Sequence, residues 1–271
     1  MNHYGIISFV LSLLLSYIAL PKVVDMLLKS NVVCENFKSD LIPTSMGIVF
    51  VFIQVITLGI LQILFDFNDN FNLIYLLGFV FIGLLGLFDD LTGEKKIKGL
   101  KGHIRAFLKG TLTTGAIKAF LGFFISILIS SYISNSIKDF LINSFVIGLF
   151  TNFVNLFDLR PGRASKLFII ISLVFIMTNF TRDINYILFS FLGILTPYII
   201  LDLKGKVMMG DVGSNTLGYT LGIYAAINYS IIAKVLILLL LIIFHIMAEK
   251  VSFSKVIDNN GFLKFIDNIG R

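Results

Sequence analysis

The chain has 271 residues, 57% of them hydrophobic and 14% charged, with a formal net charge of +6. Soluble domains carry roughly 25% charged residues, so this composition, with a mean hydropathy of +0.94, excludes an ordinary soluble protein. The positive excess is spread over segments between apolar blocks and not gathered on one domain, which points away from nucleic acid and toward membrane orientation.

A helix needs about 20 apolar residues to cross a bilayer core of about 30 Å. Blocks of that kind cover, approximately, residues 4–21, 46–65, 71–88, 112–133, 141–157, 165–180, 184–200, 213–229 and 231–248. They predict an all-α polytopic membrane protein of about nine spans. One transmembrane domain over residues 1–248 would be followed by a cytoplasmic amphipathic tail over 249–271. Met1 to Ser8 carries no Lys or Arg and no small-residue cleavage site follows, so the first span is expected to be retained. The eighth block, "GSNTLGYTLGIYAAINYS", is polar and glycine-rich for a lipid-facing helix, so it is expected either inside the bundle or as something other than a simple span. The single cysteine, Cys34, forms no intramolecular disulfide and has no metal-ligand set beside it.

Orientation follows from the basic residues. With the N-terminus outside, eighteen of the 22 Lys and Arg fall on the inner side, and only Lys118, Lys138, Arg182 and Lys234 are assigned outside. The positive-inside rule favours that topology. It also gathers particular acids at the cytoplasmic rim: Asp89 and Asp90 end the third block, Asp158 the fifth, and Asp211 precedes the eighth, with Asp202 nearby. Any one of them serves equally well as a solvated cap. Together, beside glycine, asparagine and basic residues, they have the chemistry of a phosphate and Mg²⁺ site, since carboxylates hold hard divalent cations and Lys or Arg receive phosphate.

Three segments carry a family resemblance: "FDDLTG" (Phe88 to Gly93), "TNFVNLFD" (Thr151 to Asp158) and "MGDVGSNTLGYTLG" (Met209 to Gly222). A weaker fourth is "IPTSMGIVF" (Ile42 to Phe50). In this order they resemble the signatures of the polyprenyl-phosphate hexosamine-1-phosphate transferases of glycosyl transferase family 4. The resemblance implies transfer of a sugar 1-phosphate, such as an N-acetylhexosamine 1-phosphate, from a UDP-sugar to undecaprenyl phosphate or a related polyprenyl phosphate. It further implies release of UMP, a requirement for Mg²⁺, a multi-pass bacterial cell membrane location with the site cytoplasmic, and a part in cell-envelope glycan synthesis. Membrane lipids are implied partners, nucleic acid is not, and a homodimer enters only through this likeness.

Carried over by motif, Asp89 and Asp90 match the aspartate pair tied to catalysis, and Asp211 matches a metal-binding aspartate, with Asp90 a second candidate ligand. Gly210, Gly213 and Ser214 in "GDVGS" are candidates for phosphate binding through tight turns and exposed amides. Asn152 and Asn155 are three apart and so share a helix face; they either position substrate or bond across packed helices. Gly83 and Gly86 in "GLLG" read as packing residues.

Two departures stand out. Asp158 matches the first aspartate of the family's "NLxDGxDG" and is a catalytic candidate, but "LFDLRPGRASK" puts Pro161 at the second aspartate position and adds Arg160 and Arg163. Those arginines either clamp a diphosphate or anchor the loop near anionic lipid. The family's long loop with a histidine motif before the last span is also missing, and the end of the chain reads as an amphipathic helix broken around "NNG". Lys95, Lys96, Lys98, Lys101, His103 and Arg105 follow the aspartate pair and read as a solvated basic run. The alternatives to an enzyme are an inactive lipid-phosphate-binding or scaffold member and, less favoured, a transporter, whose polar groups would lie nearer midplane.

Overall fold

The computed structural model describes residues 3–65, 70–93 and 99–270. Lys95, Lys96, Lys98 and Arg271, with the side chains of Lys101 and His103, lie outside the described residues. Helix α1 (His3–Lys29) leads through a two-stranded antiparallel hairpin, β1 (Val33–Glu35) and β2 (Leu41–Pro43), to α2 (Ile48–Phe65) and α3 (Phe71–Thr92). Then come α4 (Gly99–Leu108), α5 (Thr114–Ile133), α6 (Ile137–Asn155), α7 (Arg163–Thr178), α8 (Tyr186–Leu203), α9 (Gly210–Asn228) and α10 (Ile231–Lys250), and the short α11 (Phe253–Asn259) and α12 (Gly261–Asn268). The protein is an all-α polytopic membrane protein. Each of the nine apolar blocks corresponds to one of these helices, and seven are long and apolar enough to cross a bilayer. Of the other two, α7 has 16 residues and α9 is the glycine-rich helix.

Helix α9 is the axis of the bundle. Every residue from Val212 to Ala226 is buried, which is why its sequence could dispense with lipid-facing leucines. Small residues let neighbours come against its backbone. A Cβ on Gly222 would lie 2.8 Å from the Ile147 Cα of α6, and one on Gly86 of α3 would lie 2.6 Å from the Val212 Cα. Gly47 at the entry to α2 meets the Gly213 backbone in the same way. Close backbone approach of this kind replaces the hydrophobic driving force that lipid does not supply.

Several polar groups in the membrane are matched across helices. The buried serines of α1 face α8: Ser8 Oγ donates to the Tyr186 carbonyl at 2.9 Å and Ser16 Oγ to the Ile194 carbonyl at 3.0 Å. In the centre, Gln54 Nε2 reaches the Tyr75 hydroxyl at 3.3 Å, which shares a proton with Thr220 Oγ1 at 2.8 Å. Bonds of this type average about 0.6 kcal/mol each in membrane proteins, so they fix register more than they supply stability.

Alternation of the helices brings the ends of α3, α6, α8 and α10 to the same face as the starts of α2, α5, α7 and α9. On that face the segment before α9 is stitched to the segment before α2. Met208 N–H donates to the Pro43 carbonyl at 2.9 Å, Met46 N–H to the Met208 carbonyl at 3.0 Å, and Gly47 N–H to the Met209 carbonyl at 2.9 Å.

Candidate active site

Asp89 and Asp90 end α3 one turn after Gly86, so the close packing of that glycine on Val212 sets both carboxylates beside the first turn of α9. Asp90 then works as the cap of α9: its Oδ1 accepts the Asp211 N–H at 2.9 Å and its Oδ2 the Val212 N–H at 3.4 Å. Orphan amides at a helix start are natural anion partners. Gly210 makes this possible. It has φ +70, and a Cβ there would collide with the Asp90 carboxylate. Ser45, with its own backbone at φ 58, lies against the same position of Gly210.

The cation at this point is one that the sequence assigned elsewhere. Lys118 Nζ lies 2.9 Å from Asp89 Oδ2 and also bonds Asp211 Oδ2. Its expected place outside is thereby corrected. Helix α5 begins at Thr114, capped by the Thr113 side chain, so Lys118 sits one turn inside the helix and turns its ammonium back to the rim where Asp89 and Asp211 lie. Of the group expected on the other side from Asp89 and Asp211, Lys138, Arg182 and Lys234 remain. The signal was available: Lys118 stands nearer the inner end of its apolar block than the outer end.

Asp158 lies in the turn after α6 and is half-buried. Burial pushes its carboxyl well above the usual carboxylate range, and the charges of Asp202, Asp211 and Asp90 push it the same way. The four acids therefore share one electrostatic neighbourhood. Asp202 is buried and structural: it accepts the Gly162 N–H at 3.0 Å and the Ser165 hydroxyl at 2.7 Å, capping α7 and tying α8 to the turn that carries Asp158. Gly162 has φ +74, a conformation that glycine adopts without strain.

The asparagines divide. Asn155 Oδ1 accepts the Ser214 hydroxyl at 3.0 Å, linking α6 to the start of α9, whereas Asn152 is exposed on α6. Ser214 is fully buried and Gly213 packs against Met209 and Gly47, so both shape the first turn of α9 from within. Arg160 and Arg163 are held by the tail. Arg163 is buried with Nε 2.8 Å from Asp267 Oδ1 and Nη2 2.9 Å from Oδ2, and its Nη1 donates to Ser254 Oγ at 3.1 Å. Arg160 makes a second forked pair with Asp258 at 2.8 and 2.7 Å, nearer solvent. That pairing raises the Arg160 guanidinium further and holds the Asp258 carboxyl below its ordinary value.

Hard oxygen donors converge at Asp89, Asp90 and Asp211, and Asp89 and Asp211 already share one positive charge. This is the donor chemistry of a Mg²⁺ site. As the side chains stand, no group of three or more His, Cys, Asp or Glu among the described residues is arranged around a single metal position.

Comparison with known proteins shows the family. The model of glycosyl transferase family 4 matches residues 72–230, a stretch that contains Asp89, Asp90, Lys118, Asp158 and Asp211. A phospho-N-acetylmuramoyl-pentapeptide-transferase of Clostridium perfringens (strain SM101 / Type A) is 28% identical over 255 residues, covering 82% of this chain and 72% of the relative. Proteins of the same name from Clostridium novyi (strain NT) and Streptococcus sanguinis (strain SK36) are 26% and 28% identical, covering 81% and 89% of this chain and 72% and 76% of their own lengths.

Proposed function

The chain belongs to glycosyl transferase family 4, and from that premise we propose that it transfers a sugar 1-phosphate from a UDP-sugar to polyprenyl phosphate at the inner membrane face. It is a phosphosugar transferase of the membrane, of the kind that serves cell-wall synthesis. The proposal adds the donor, the cation, the orientation with the N-terminus outside, and the roles of individual residues. The observation that carries it is the meeting of Asp89, Asp90 and Asp211 with Lys118 at one end of the bundle.

Phosphoryl transfer asks for alignment and for neutralisation of charge, and side-chain covalent chemistry is not required. An oxygen of the lipid phosphate attacks the sugar-bearing phosphorus of the donor; the bond to the UMP oxygen breaks and UMP leaves with the electron pair. Asp89 is placed to orient or deprotonate the lipid phosphate. Asp90, fixed by the amides of α9, holds the start of that helix against α3. Lys118 offsets negative charge between the two acidic segments and receives phosphate oxygens. Asp211 and Asp90 would hold Mg²⁺, which when bound supplies electrostatic stabilisation of the transferred phosphoryl group. Asp158, whose carboxyl is pushed upward by burial and by the neighbouring acids, would hydrogen-bond a group of the UDP-sugar. Asn155 and Ser214 set the floor between α6 and α9.

The test is UMP release by purified protein in lipid nanodiscs supplied with Mg²⁺, undecaprenyl phosphate and a panel of UDP-N-acetylhexosamines. Release that depends on both lipid and cation, and is abolished by Asp90→Asn and Asp211→Asn, is the expected result. Absence of release with every donor, from protein that still binds the lipid phosphate, would replace this reading with that of a lipid-phosphate-binding scaffold.

A further inference from the structure

Helix α12 is built inside out for a helix resting on a protein in water. Its acid points inward: the Asp267 side chain is 5% exposed and paired with Arg163. Its large apolar side chains point outward, Phe262 at 72%, Phe265 at 67% and Ile269 at 52% exposure. Phe262 and Phe265 share one face of α12 at i, i+3 spacing, and Ile269 follows at its C-cap. In water such a face would be an aggregation hazard.

We infer that α12 is a membrane-surface element, with Phe262, Phe265 and Ile269 set among the lipids of the inner leaflet and the Arg163–Asp267 pair fixing the helix's rotation. Three observations select lipid as the occupant. The first is depth. Lys166, in the first turn of α7, donates to the Ile266 and Asp267 carbonyls at 3.0 and 2.6 Å, and Gly270 lies against Leu203, the last residue of α8. The helix is therefore level with the ends of the bundle helices, where headgroups begin. The second is tethering: α11 starts three residues after the end of the apolar α10 and stacks Phe253 on Phe157 at 4.9 Å, so the tail stays on the bundle's rim. The third is charge. Asp258 and Asp267 are both engaged by arginines of the bundle, which leaves the exposed Lys255 and Lys264 as the tail's outward charge. A positive, aromatic-rich helix at that depth suits an anionic lipid surface. Since Arg163 lies five residues after Asp158, lipid would also help hold the turn that presents that carboxyl.

The chain contains no tryptophan, so Phe265→Trp installs a single indole reporter in the full-length protein. The protein is placed in nanodiscs of phosphatidylglycerol and phosphatidylcholine, with a parallel set in which the phosphatidylcholine acyl chains are brominated. Immersion predicts blue-shifted emission, quenching of about twofold or more by brominated lipid, and weak quenching by aqueous acrylamide. Phe262→Trp serves as a second reporter on the same face and should give the same response. Strong acrylamide quenching of Phe265→Trp without bromolipid quenching would overturn the inference, because the face would then meet water. Resistance to both quenchers, with emission that changes as two protein copies are loaded per disc, would overturn it in favour of a second copy. Neither readout requires transfer activity, so its failure is separate from failure of the proposed reaction.

Discussion

Replacing Gly86 by alanine probes how helix packing builds the site. The new Cβ would lie 2.6 Å from the Val212 Cα and N and 2.7 Å from the Asp211 carbonyl carbon, all backbone atoms that cannot rotate away. Carbon atoms in contact settle at about 3.5–4.0 Å, so α3 must draw back from α9 by about 1 Å. Overpacking of this sort costs about 1–3 kcal/mol, of which alanine's better helix propensity returns about 1 kcal/mol. The loss of stability is therefore modest. The loss of activity is not, because Asp89 and Asp90 lie one turn beyond Gly86 and move with it, and about 1 Å of misplacement can cost on the order of 10²-fold in rate. Thermal unfolding in nanodiscs and kcat/KM from UMP release separate the two effects. Gly59 of α2, which would have no neighbour within 4 Å of a Cβ, is the control: Gly59→Ala should gain up to about 1 kcal/mol and keep its activity. Gly83→Ala, which meets side-chain atoms alone, Val51 Cγ2 at 2.7 Å and Thr216 Cγ2 at 3.4 Å ahead of Val212 Cγ2 at 3.8 Å, should fall between them. Full kcat/KM in Gly86→Ala would refute the claim that this contact positions the aspartate pair.

Lys118→Met leaves Asp89 and Asp211 without their shared ammonium; kcat/KM should fall by about 10²–10³-fold, and Lys118→Arg should keep part of it, whereas equal loss in both would assign Lys118 to packing. Asp158 binds its proton more tightly folded than unfolded, so its contribution to stability is present at acid pH and is lost as pH rises from about 4 through the raised folded value. Asp158→Asn should remove that slope and melt higher than the parent above this window, with the two converging in acid; parallel Tm curves would contradict the assignment. Arg163→Met removes the forked partner of the buried Asp267 and should cost about 3–5 kcal/mol, well above the loss for Arg160→Met at the solvent-exposed pair. Thermal unfolding measures both, and equal losses would refute the distinction.

The spans were legible because bilayer thickness imposes a length and lipid imposes a composition, and both are written locally. The central place of α9 was legible for the converse reason: a run containing Ser214, Asn215, Thr216 and Thr220 has no place against acyl chains. Gly86 was read as packing and Asp90 as chemistry, yet one contact joins them, since the glycine's approach to Val212 brings Asp90 to the amides of α9. Lys118 was misplaced because a charge count assigns whole segments to one side, whereas a lysine stem one turn inside a helix can return its ammonium to the rim. The hairpin of β1 and β2 was not legible at all. Its strands have three residues each, and the neighbouring Pro43 to Gly47 segment bonds to Met208 and Met209, more than 160 residues away in sequence.

The arginines after Asp158 and the acids of the tail form one structural unit. Arginines in the loop after Asp158 would be hard to explain alone, because a site already short of one acidic position gains positive charge that is not turned toward its carboxylates. The unusual tail would be equally hard to explain alone, since it carries acids on a helix whose other face is aromatic. In the folded chain each explains the other: Arg160 takes Asp258, Arg163 takes Asp267, and Lys166 holds the carbonyls at the end of α12. Two forked pairs of fixed geometry specify orientation better than hydrophobic contact can. The short tail is thereby set in place beside the turn that presents Asp158. Loop and tail form a matched set, and replacing the charges of either alone would remove the partners of the other.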